Sequence, residues 1–216
     1  HQIDSISYLA SDYFIPNEYD KLMSFIGSEG TNAYTSTDMT VYVEQIPSNQ
    51  IENWARIQAD RFMNPVLRGF HTELETVYEE KNMSLTEDFS KALETLDGML
   101  FPDHPYGQQT VLGTQEHLKN PSITNIKNYH KTYYVPNNIA ICLCGDFNPD
   151  QMIKVIEKYF GQMKPNENLP EVSFTTSSVI ETPIEKDVYG LDAEAILIGW
   201  KYPGAKSEDA LVAEVA

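Results

Sequence analysis

Residues 73–84, ELETVYEEKNMS, place four carboxylates in the first eight positions and no basic residue before Lys81. On a helix, Glu73 and Glu80 lie seven apart, close to two full turns, and project from one face with Val77 between them. Glu75 and Glu79, four apart, fall on another side. Two carboxylates on one helical face are either a solvated surface or are aimed at something positive. Other metal-ligating types offer no second cluster. His71, His104, His117 and His130 show no metal-ligand spacing and read as structural or surface histidines. Cys142 and Cys144 alternate within IAICLCGDF, where a buried strand puts both on one face, so they read as packing residues rather than as a disulfide or a thiolate zinc site.

The elements that must hold these residues belong to a globular chain. Its 216 residues are 41% hydrophobic and 11% aromatic, enough for a sizeable core. The 15 basic residues against 32 acidic ones give a net charge of -17, which opposes neutralisation of nucleic-acid phosphates and sets nucleic acid aside as a partner. No apolar run reaches the roughly 20 residues that span a bilayer, and no signal peptide opens the chain. The compartment is left open, periplasm and cytoplasm alike.

Periodicity predicts an amphipathic helix in HQIDSISYLASDYF and a second in NEYDKLMSFIGSEG, followed by one or two strands within 31–46. PSNQIENWARIQADRFMNP carries a cap signal at Ser48 or Asn49, apolar residues at Ile51, Trp54, Ala55 and Phe62, and a stop at Pro65. A long helical segment is predicted from Phe70 to about Leu100, then a helix from about Ser122 to Tyr134 and a strand over 138–147. Asn148 caps the next helix, Pro149 suits its first turn and Gly161 closes it. Residues 162–181 read as a linker, 193–203 as a buried strand, and 207–216 as the start of a helix. The fold class predicted from this order is α+β, a two-layer antiparallel or mixed sheet packed with helices.

Four segments in order, GTNAYTSTDMTVY, ELETVYEEKNMS, HPYGQQTVLG and YYVPNNIAICLCGDFNPDQM, resemble the pitrilysin and insulinase family of zinc metallopeptidases, which includes the mitochondrial processing peptidases. The likeness runs over nearly the whole chain. It implies a metallopeptidase-like fold in which residues 1–161 form part of the zinc-bearing domain and 182–216 begin a second, homologous domain. In that family two histidines of an inverted His-x-x-Glu-His motif and a downstream glutamate hold zinc. The resemblance assigns Glu80 as the metal ligand and Glu73 as a supporting catalytic carboxylate. HQIDS at the start does not supply the motif, which is expected upstream of His1 together with the first strands.

The same resemblance assigns Asn32 and Ala33 to substrate binding, on an edge strand beside the metal to which a peptide adds as another strand. It implies a zinc endopeptidase that encloses peptides between two halves, the second half lying in the same chain or in a partner subunit. The piece alone is expected to hold no tight zinc and to be inactive, because only Glu80 is identified of the three protein ligands a catalytic zinc takes. A non-catalytic homologue, acting as a scaffold or as a peptide-presenting partner, is the alternative.

Overall fold

The computed structural model describes residues 6, 9–10, 13, 15, 17–67, 69–119, 121–171, 173–174, 179–204 and 206–215. The amphipathic helix expected over 1–14 lies largely outside them. The elements run α1 (Glu18–Phe25), β1 (Gly30–Thr35), β2 (Thr40–Gln45), α2 (Ile51–Met63), α3 (Phe70–Ser84), α4 (Asp88–Leu100), α5 (Pro105–Gln108), α6 (Gln115–Lys119), α7 (Ile123–Tyr133), α8 (Pro149–Phe160) and α9 (Asp209–Val215). The fold is helix-rich, with one two-stranded antiparallel sheet among the described residues.

The chain divides into two compact units, His1–Leu74 with Pro121–Glu171, and Glu75–Asn120 with Val172–Ala216. The first is built on α2, whose apolar residues recur at helical spacing. Ile51, Trp54 and Ala55 are buried together with Met23 and Ile26 of the α1 region. Against them pack Met152, Val155, Ile156, Tyr159 and Phe160 of the α8 stripe. Each fully buried large side chain here contributes on the order of 1.5–3 kcal/mol. The cap of α8 is as its sequence predicts, with Asn148 Oδ1 accepting the Gln151 N–H at 3.1 Å and Pro149 in the first turn. Ser122 Oγ likewise accepts from Asn125 N at the start of α7.

The predicted long helix is two helices. After Ser84 the backbone tightens, with Thr86 N bonding to Met83 O and Glu87 N to Ser84 O. The Ser84 and Thr86 hydroxyls also donate to the carbonyls of Lys81 and Met83. Such local bonds compete with the helical ladder and break it without glycine or proline. Asp88 then opens α4, and its Oδ2 accepts the N–H groups of Leu191 (2.5 Å) and Asp192 (2.8 Å).

Two predicted strands are absent as ladders among the described residues. Residues 138–147 and 193–203 form no strand here, because apolar alternation makes a strand only where another strand supplies hydrogen bonds. Cys142 and Cys144 are therefore exposed rather than packed. The 193–203 segment is not buried either: Ile196, Ile198 and Trp200 face outward, while Gly199 lies against Leu96 and Leu100. Of the two-layer sheet expected from these segments, the described residues form the β1–β2 hairpin.

Candidate functional site

Glu73 and Glu80 both stand on α3, which is uninterrupted between them. Seven residues at 100° each return to within about 20° of the starting direction and advance roughly 10 Å, so the two carboxylates share a face. Both are exposed, and among the described residues neither has a hydrogen-bond or ion-pair partner. Other sides of the helix are held down. Lys81 is only 5% exposed, and its Nζ meets Glu94 Oε1 of α4 at 2.8 Å. Asn82 Oδ1 accepts from Gln115 Nε2 of α6 at 2.7 Å. The turn that carries Glu80 is thus fastened within its unit by the two residues that follow it.

Asn32 and Ala33 stand on β1, paired to Val43 and Tyr42 of β2. The turn closes with Ser36 N bonded to Met39 O at 2.8 Å. In an antiparallel ladder hydrogen-bonded and non-bonded pairs alternate. Counting back by two from Ser36, Tyr34, Asn32 and Gly30 exchange bonds with β2, and Thr35, Ala33 and Thr31 turn their N–H groups to the other edge. That edge carries no strand among the described residues. The Ala33 N–H there is accepted by the Asn32 side chain, Oδ1 at 2.8 Å.

The inner face of the hairpin meets a polar cluster that the sequence reading missed. Gln58 of α2 is 2% exposed, and its Nε2 donates to Tyr19 Oη (2.6 Å) and to Glu44 Oε1 (2.8 Å). Tyr19 Oη donates to the same carboxylate oxygen at 3.0 Å, and burial pushes the Tyr19 phenol up to about 12. The Arg61 guanidinium lies 4.0 Å over the Tyr19 ring and 4.9 Å over that of Tyr42. Tyr42 Oη and Tyr134 Oη are 3.0 Å apart, and burial also raises Tyr134 to about 12. The missed signal was position: Gln58 lies four residues after Trp54 and three after Ala55, on the buried stripe of α2.

Among the described histidines, each has a local task. His104 Nδ1 accepts the Tyr106 N–H to cap α5, His117 Nδ1 accepts from Thr114 N, and His130 stacks on Tyr134 at 4.5 Å, where burial lowers its pKa. No three His, Cys, Asp or Glu side chains among the described residues come together to hold a metal ion. On their own, therefore, these residues do not make a zinc donor set.

A family model described as "Peptidase M16 inactive domain" matches residues 122–216. The zinc protease PqqE of Helicobacter pylori is 24% identical over 97% of this chain and 48% of its own length. A probable mitochondrial-processing peptidase subunit beta of Schizosaccharomyces pombe is 27% identical over 62% of this chain and 30% of its own length. By the family model over residues 122–216 and by these relatives, the chain is similar to the M16 peptidases. Its fold is similar to that of the first half of the periplasmic protease PqqL from Escherichia coli, with a TM-score of 0.64 and 16% identity over 73% of this chain and 35% of that one. The M16 relatives are named as zinc proteases and processing-peptidase subunits, so the family is hydrolytic. This chain spans about half or less of the length of those relatives. Among its described residues no helix is long and apolar enough to cross a membrane.

Proposed function

We propose that this chain is part of the zinc-bearing half of an M16 endopeptidase, in which Glu80 is the carboxylate ligand and Glu73 a supporting carboxylate placed to take or return a proton. The peptide adds as a strand to the open edge of β1, at Asn32 and Ala33, inside a chamber completed by a second half in the same polypeptide or in a partner subunit. The observation that carries this reading is the pair of exposed carboxylates, without partners among the described residues, on one face of an unbroken helix. The imidazole ligands lie outside the described residues in this reading, and this chain alone neither holds zinc tightly nor cleaves peptides.

The test is made on the full-length polypeptide. Elemental analysis gives its zinc content, and hydrolysis of a mixed peptide library gives its activity. Glu80→Gln should abolish stoichiometric zinc and with it hydrolysis, whereas Glu73→Gln should retain most of the metal and lose most of the rate. Full zinc content in Glu80→Gln would remove Glu80 from the ligand set. The description "inactive domain" of the model matching 122–216 favours one second reading, a non-catalytic scaffold or peptide-presenting homologue. A full-length polypeptide with neither zinc nor hydrolysis would establish that one instead.

A further inference from the structure

Gln58 is a buried amide whose hydrogen bonding does not close. Both of its N–H groups are used, on Tyr19 Oη and Glu44 Oε1, while its own Oε1 is buried with no partner among the described residues. A buried acceptor left unpaired is unfavourable, and an apolar side chain of similar size would remove the penalty. Stability alone therefore does not account for an amide here. Its effect on structure is to fix Glu44, and with it the β2 strand.

The position of that grip matters. Tyr42 and Glu44 share the inner face of β2, and their partners on β1 are Ala33 and Thr31. Those are residues whose N–H groups face the open edge. Gln58 and Tyr19 hold β2 opposite Thr31, and Tyr134 and Arg61 hold it opposite Ala33.

We propose that Gln58 is a positioning residue for the open edge of β1, retained at a cost in stability because it fixes, through Glu44, the strand behind the peptide-accepting N–H groups. This rests on the reading of that edge as the place where peptide adds. Gln58 touches no peptide itself and acts through Glu44 and β2.

The experiment uses the full-length polypeptide and its Gln58→Met, Tyr19→Phe and Ala33→Pro variants. Proline at 33 deletes an edge N–H without disturbing the pairing to β2. Three quantities are read: Tm, amide hydrogen exchange over residues 30–45, and the anisotropy-measured affinity for a fluorescein-labelled peptide of alternating valine and lysine. Gln58→Met should leave Tm equal or higher, speed exchange across the hairpin, and weaken peptide binding by about threefold to tenfold, the range of one ordinary hydrogen bond. Tyr19→Phe should move exchange and affinity in the same direction. A lowered Tm with unchanged affinity in Gln58→Met would reduce the residue to a structural role and overturn the inference. If Ala33→Pro leaves affinity intact, the edge reading fails and takes this inference with it. If Ala33→Pro weakens binding while Gln58→Met and Tyr19→Phe do not, the inference fails alone.

Discussion

The Lys81 ammonium meets Glu94 Oε1 at 2.8 Å and so ties α3 to α4 one residue beyond Glu80. The two partners are unequal, since the lysine side chain is 6% exposed and the glutamate 41%. Removing the glutamate strands a charge in a nearly dry site, whereas removing the lysine leaves a carboxylate that water can still solvate. Glu94→Ala should cost about 1–3 kcal/mol in urea unfolding, and Lys81→Met should stay within about 1 kcal/mol of the parent. Equal losses would mean that the burial of Lys81 does not control the pair.

A second prediction concerns acid. The Lys91 ammonium, 2.5 Å away, and the N–H groups of Asp192 and Leu191 hold the Asp88 carboxyl down to about 2. An acid whose folded pKa is depressed stabilises the fold above its unfolded value, near 3.9, and loses that contribution as pH falls through the folded one. The anchoring of 191–192 to α4 should therefore be intact above about pH 4 and lost progressively toward pH 2. The Leu191 and Asp192 amide resonances should titrate together with an apparent pKa near 2, and Asp88→Ala should abolish that titration. Amide resonances that titrate near 4 would show that the three donors do not act on the carboxylate.

A third prediction follows from helix ends. Asn148 Oδ1 satisfies the Gln151 N–H, an orphan donor of the first turn of α8. Asn148→Ala should lower stability by about 1 kcal/mol and Asn148→Ser by much less. A loss from serine as large as that from alanine would show that the side-chain acceptor is not what Asn148 contributes.

These elements also separate what the sequence makes legible from what it hides. The α8 helix is readable because Asn148, Pro149 and Gly161 act within a few residues of the backbone they satisfy, and α2 because its apolar spacing is its packing surface. The break after Ser84 is not, since hydroxyls donating to Lys81 and Met83 carbonyls leave the 3.6-residue pattern undisturbed. Residues 139–146 alternate as a strand should, but a ladder depends on a distant partner that alternation cannot report. Spacing puts Glu73 and Glu80 on one face, and the resemblance alone proposes their roles and those of Asn32 and Ala33. Gln58 could not, because a polar residue on a buried stripe is recognised only once Tyr19 and Glu44 are seen to converge on it.

The last prediction isolates the open edge itself, without any assumption about peptide. Ala33 N–H points away from β2, yet it is not left to water, because Asn32 Oδ1 accepts it at 2.8 Å. An exposed edge donor invites pairing with another chain, and a neighbouring side-chain acceptor is one way to occupy it. Asn32→Ala removes that acceptor and nothing from the ladder, since the backbone of Asn32 still exchanges with Val43 across the sheet. Exchange of the Ala33 amide should accelerate severalfold, the amides of Asn32 and Tyr34 should keep their protection, and Tm should hardly move. Asn32→Asp, which keeps an acceptor at the same place, should restore slow exchange at Ala33. Acceleration at Ala33 and Asn32 alike would point instead to a loosened hairpin, and an unchanged Ala33 amide would show that the side chain does not hold it in solution.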